Sequence, residues 1–217
     1  MYFCFETDKF VVFDKYLFVR SSSTVVTQYI GIGVTMENSK KFNIAAMVQC
    51  SLFAALLCVL APLAVPVGVV PVSLGLFAVM LCAVVLGAYK GIISLGVYLL
   101  MGVLGLPVFA GGQTGLSTLA GPTGGYVWSY ILVCLIIGLV SRQTYKKKFV
   151  FVSCLAAILV CYLCGTMQFM AVTGSELSNA LVVCVYPFVA FDIIKAVCAV
   201  VLGANIRKRL ANAGFLI

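Results

Sequence analysis

Residues 149–170 read FVFVSCLAAILVCYLCGTMQFM, a run of 22 without a charged side chain. At 1.5 Å per residue, a helix of about this length crosses the roughly 30 Å hydrocarbon core of a bilayer. Polar and apolar residues do not alternate along the run, so a barrel strand is a poor description of it. The rest of the chain has the same character: 64% of its residues are hydrophobic and 9% charged, and mean hydropathy is +1.20. Soluble domains carry about 25% charged residues. The sequence therefore predicts an all-α integral membrane protein, a bundle of transmembrane helices.

Six apolar runs serve as spans, at about 42–61, 72–88, 92–106, 124–140, 149–170 and 191–208. The third, about 15 residues long, is short and would extend into a flanking loop or sit in a thin part of the bundle. Basic residues set the orientation. Lys40 and Lys41 precede the first span and Lys90 lies between the second and third. Arg142, Lys146, Lys147 and Lys148 separate the fourth from the fifth, and Arg207, Lys208 and Arg209 end the sixth. The opposite loops, 62–71, 107–123 and 171–190, hold no Lys or Arg and one acid, Glu176. The positive-inside rule then places both termini in the cytoplasm. The net charge of +8 follows from this topology and from contact with anionic headgroups, and needs no nucleic-acid partner.

Residues 1–35 stand apart, because aromatics there alternate with Glu6, Asp8, Lys9, Asp14, Lys15 and Arg20. The acids argue against a secretory signal. Two readings stay open: translation starting at Met36, or a cytoplasmic arm in which residues 25–34 pair as a weak strand. The membrane domain is expected over 36–217.

Several chemistries are excluded. The chain has no histidine, so catalysis by an imidazole base is absent and no enzyme is expected. Most of the ten cysteines sit singly in apolar runs, and the Cys161-x-x-Cys164 pair has no second pair to complete a zinc site. No metal or cofactor is expected. The glycine-rich stretch carries no Walker lysine, so ATP hydrolysis would belong to another chain.

Two segments depart from plain hydrophobic sequence. Residues 105–112, GLPVFAGG, lead into Gln113 and then into 121–126, GPTGGY. Such glycines allow positive φ and close backbone approach, and irregular backbone at a membrane is tolerated where it lines a cavity. The second segment is 187–196, PFVAFDIIKA. After a short surface helix in 175–185, Pro187 interrupts the chain and places Asp192 in the first turn of the last span. Asp192 and Lys195, three apart, share a helix face. An ionisable residue at membrane depth costs about 2.5–3.5 kcal/mol on insertion scales. The pair therefore serves either as an internal ion pair orienting the helix or as a polar floor for a bound solute.

These segments resemble the BioY family, the biotin-specific S components of energy-coupling factor (ECF) transporters, over about 42–209. The resemblance implies a six-helix, N-in/C-in S component of the bacterial cytoplasmic membrane that captures biotin near the outer face. It implies that Asp192 meets the ureido N–H groups and Lys195 a ligand oxygen, with Gln113, Tyr98 and Gly112 as further substrate-binding candidates. It also implies a coupling transmembrane subunit and two ATPase subunits as partners, with ATP bound only there. The pair Ala54 and Cys58, with Ala55 beside it, is small-xxx-small; it suits packing within the bundle or, by the resemblance, docking on the coupling subunit. Many relatives have Pro-Gly before the aspartate where this chain has Ala190 and Phe191, and Ser73 and Gly75 stand where many have more polar residues. A different vitamin for the same kind of subunit, a solitary biotin facilitator and a purely structural membrane protein are the competing readings.

Overall fold

The computed structural model describes residues 44–66, 71–143 and 146–213. The N-terminal segment 1–35, its expected strand, Lys40 and Lys41 lie outside the described residues.

Helix α1, Ile44–Leu60, leads into a two-stranded antiparallel hairpin of β1, Ala64–Pro66, and β2, Pro71–Ser73. Val65 pairs with Val72, and Leu74 N–H donates to Leu63 O at 3.0 Å, extending the ladder by one step. Helix α2 follows over Gly75–Val103. Then come a 3₁₀ turn at Ala110–Gly112, the short helix α3, Gly115–Ala120, and helix α4, Gly124–Gln143. Helices α5, Lys147–Thr173, α6, Leu177–Cys184, and α7, Val189–Asn212, complete the chain. α2, α4, α5 and α7 are long and apolar enough to cross a membrane, and α1 is a shorter apolar helix of 17 residues.

Helix α2 is not straight. Gly87 has φ 77° and ψ −176°, outside any helical region, and divides the element into stretches 75–86 and 88–103. Only glycine adopts that backbone without strain. A side chain added at Gly91 would lie 3.8 Å from Cys82 Sγ and 3.9 Å from Ala83 Cα. Residues eight or nine apart on a straight helix would be separated by about 12 Å along the axis. The two stretches therefore fold back on each other. The sequence expectation put this reversal near Lys90; the break falls at Gly87 because glycine alone there permits the positive φ.

Helix α4 packs along α2 and α5, and α1 and α7 close against α2. Leu57, Val79, Leu95, Tyr98, Phe109, Val133 and Ile137 form the centre of the core, each almost fully buried. Gly138 of α4 lies on the Gly87 break, where any side chain would strike the backbone of Ala88. The outward faces carry Val152, Leu159, Leu163 and Met167, spaced by seven and four residues and all more than 60% exposed. That stripe is unfavourable against water and costs nothing against lipid tails.

Among the described residues every cysteine is free, and no group of three or more His, Cys, Asp or Glu could hold a metal ion. Cys161 Sγ lies 3.0 Å from Ser129 Oγ, a packing role inside the bundle.

Gly138→Leu is expected to overpack the break and cost about 1–3 kcal/mol, a fall of roughly 5 °C in apparent Tm. Thermal unfolding in detergent, with Leu159→Ala on the outer face as an unshifted reference, checks this.

Candidate functional site

The site begins where α6 ends. Pro187 interrupts the helical ladder, Val185 takes φ −123° and ψ −57°, and a turn runs through Phe188, whose N–H donates to Val185 O at 3.0 Å. α7 starts at Val189, two residues before the sequence expectation, and Asp192 stands in its first turn. The helix dipole favours a carboxylate there.

Asp192 is 3% exposed. Its Oδ1 lies 2.8 Å from Lys195 Nζ, and its Oδ2 accepts a hydrogen bond from the Tyr162 hydroxyl at 2.7 Å. Lys195 Nζ also donates to the Ser73 carbonyl at 2.8 Å, across 122 residues of sequence. The pair is thus compensated in charge and tied to three elements: α5 through Tyr162, α7 itself, and the end of the hairpin through Ser73.

These groups line a cleft between the helices. Tyr126, Tyr130 and Phe188 supply aromatic wall, and Gln113, Thr118 and Thr123 supply further polar atoms. The glycine-rich loop reaches the cleft through Ala110 and Gln113. Gly111 and Gly112 have φ of 69° and 75°, so the chain doubles back and Phe109 N–H donates to Gln113 O at 3.1 Å. Gly111 N–H reaches Pro62 O at 3.2 Å, joining loop and hairpin. Farther along, Gln168 Nε2 donates to both Leu119 O and Gly121 O at 2.8 Å, pinning the turn between α3 and α4 to α5. Tyr126 donates to Cys184 O at 2.9 Å and holds α6 in place.

The structure therefore brings together Asp192, Lys195 and Gln113, and does not add Tyr98 or Gly112 to the lining. Tyr98 is 1% exposed and packs edge-to-face on Phe109, ring centroids 5.8 Å apart, so it anchors the loop from beneath. Gly112 contributes the backbone turn that precedes Gln113. Ala54 is 2% exposed, and Cys58 lies with its sulfur 3.8 Å from Met101 Sδ. Ala54 packs within the chain's own bundle, the first of the two roles its spacing allowed, whereas Cys58 stays partly exposed; the exposed small residues of α1 are Ser51 and Ala55.

Tyr162 and the Ser73 carbonyl were not among the expected site groups. A phenol in an otherwise apolar span needs a hydrogen-bond partner, and that was the available signal for Tyr162. A main-chain carbonyl leaves no such mark in a sequence.

A helical bundle with a lipid-compatible exterior, and a cleft that sets a buried carboxylate and ammonium among aromatic rings, defines a membrane-embedded small-solute-binding protein. Comparison with known proteins agrees. The model of the BioY family matches residues 36–212. The chain is 35% identical over 178 residues to the biotin transporter BioY2 of Lactococcus lactis, covering 82% of this chain and 96% of that one. It is also 35% identical over 162 residues to the biotin transporter BioY of Thermotoga maritima, covering 75% and 95%. A crystal structure described as the S-component for biotin from an ECF-type ABC transporter superposes with a TM-score of 0.72, at 24% identity, over 78% of this chain and 94% of that one. The chain belongs to the BioY family, and it is a multi-pass protein of the cytoplasmic membrane.

Lys195→Met should cost about 3–5 kcal/mol, because it leaves the Asp192 carboxylate buried without its countercharge. The double substitution with Asp192→Leu should recover most of that loss, as read from thermal unfolding of the two variants side by side.

Proposed function

We propose that this chain is the substrate-capturing S component of an ECF transporter, that its ligand is biotin, and that it is a transport subunit rather than an enzyme. The observation that carries the reading is the Asp192–Lys195 pair at 2.8 Å, set in an aromatic-walled cleft. Family membership and relatives named as biotin transporters support it.

In this reading Asp192 accepts from the ureido N–H groups of biotin and Lys195 donates to a ligand oxygen. Tyr162 keeps the carboxylate turned toward the ligand. Gln113 adds a polar contact from the loop, and the aromatic walls take up the apolar ring and chain of the ligand. Tyr98 and Gly112 act through the loop they hold.

The membrane domain corresponds to 36–217 and crosses six times, α1, the two stretches of α2, α4, α5 and α7 each making one pass. The fold-back at Gly87 supports that count. Lys90, Arg142, Lys147, Arg207 and Lys208 line a single cleft at one end of the bundle. By the positive-inside rule that end is cytoplasmic, with both termini inside and the biotin cleft toward the opposite face. Energy for release comes from a coupling transmembrane subunit and two ATPase subunits, since no residue pattern here binds ATP. The outward face of α1, with Ser51 and Ala55 between larger apolar residues, suits close approach of a partner helix.

Calorimetric titration of biotin into the detergent-solubilised protein tests the ligand, with thiamin as control. Asp192→Asn should weaken biotin binding by about tenfold to hundredfold, the worth of hydrogen bonds to a charged group. Saturable thiamin binding, or unchanged biotin affinity in the variant, would remove the assignment.

Ala55→Trp is expected to leave biotin affinity intact and to reduce co-purification with the coupling subunit. Ala54→Trp should instead destabilise the bundle, because that residue is buried within it.

A further inference from the structure

A second cleft lies at the end of the bundle away from Asp192, and the transport reading does not use it. Its floor is apolar, with Val84, Leu86 and Val150, and its rim carries Lys90, Arg142, Lys147 and Lys208. These four cations come from the start of the second stretch of α2, the end of α4, the start of α5 and the last part of α7, so the fold gathers them from four places.

Arg207 serves a different purpose. Its Nη1 donates to Val84 O at 3.1 Å and to Ser141 O at 2.7 Å, fastening α7 to α2 and α4 beneath the rim. Lys90 Nζ reaches Gln49 Oε1 at 3.3 Å. No acid lines the cleft; among the described residues the acids are Glu176, beyond the far end of α5, and Asp192 in the site above. Like charges gathered with no acid among the described residues that line the cleft repel one another, and an anion brought among them relieves that repulsion.

Position narrows the class of anion. The cleft sits at the ends of membrane-spanning helices, hence at the level of lipid headgroups, and Tyr89 on its rim is 76% exposed, as befits an interfacial aromatic. A cationic rim over an apolar floor matches a phosphate headgroup continuing into acyl chain, and basic recesses between transmembrane helices bind such headgroups. We propose that this cleft binds the phosphodiester headgroup of an anionic glycerophospholipid. The site is independent of which solute the first cleft takes.

The test uses the full chain, stripped of lipid in a neutral detergent and titrated with phosphatidylglycerol or with phosphatidylcholine of the same acyl chains. Bound lipid is counted by native mass spectrometry. The wild-type protein should retain phosphatidylglycerol in preference to phosphatidylcholine. Arg142→Gln combined with Lys147→Gln should weaken phosphatidylglycerol roughly thirtyfold, about fivefold for each charge removed. Lys148→Gln combined with Arg209→Gln removes the same charge outside the cleft and should leave retention unchanged. Lys90→Gln with Lys208→Gln provides a second cleft variant, so that one misfolded protein does not decide the matter. Equal loss in the control pair would overturn the proposal, as would equal retention of the two lipids. A parallel titration with inorganic phosphate separates the sources: phosphate binding as tightly as phosphatidylglycerol would make the cleft a site for a free anion and sink the lipid assignment.

Discussion

An ammonium and a carboxylate 2.8 Å apart inside an apolar bundle impose a condition on everything around them. Removing both from water costs several kcal/mol per ion, which their attraction repays only when the remaining donors and lone pairs are also satisfied. Here the Tyr162 hydroxyl and the Ser73 carbonyl meet that demand. Neither belongs to α7, so α5 and the hairpin must stand at fixed positions relative to the last helix. The geometry of the cleft follows from that condition more than from the shape of any single element.

The same logic extends through the membrane region, where no water completes an unpaired polar group. Serine hydroxyls turn back on their own helices: Ser94 donates to Lys90 O, Ser129 to Tyr126 O and Ser153 to Val150 O. Gln168, which would be costly if unpaired, uses its amide to hold two carbonyls of the α3–α4 turn. Lipid exerts no squeeze on the exterior, so cohesion comes from close packing at small residues, as where Gly138 meets the Gly87 break.

Much of this was legible in the sequence. Long uncharged runs announced the spans, and the Asp192–Lys195 spacing announced a polar spot in the last one. What stayed hidden has definite causes. Residues 64–73 hold two prolines within a hairpin ladder, and they read as a plain loop up to 71 and as the start of a span from 72. Apart from Gln49 and Ser51, α1 is apolar on its buried and exposed faces alike, because lipid accepts the same residues as the core. Periodicity therefore could not tell buried Ala54 from exposed Ala55, and the phase of the helix became visible only with its neighbours in place. The tether from Lys195 to Ser73 pairs a side chain with a main-chain atom, and a carbonyl looks the same at every position.

That tether also bears on how the protein is made. A membrane chain emerges from the ribosome in order, and the hairpin is synthesised 122 residues before the lysine that fastens it. Until α7 has been inserted, the hairpin has no cation to hold and Tyr162 no carboxylate to face. The two ends of the cleft thus mature together, at the last step of biosynthesis. A chain arrested before its final helix could fill the membrane with well-formed spans and still possess no polar site.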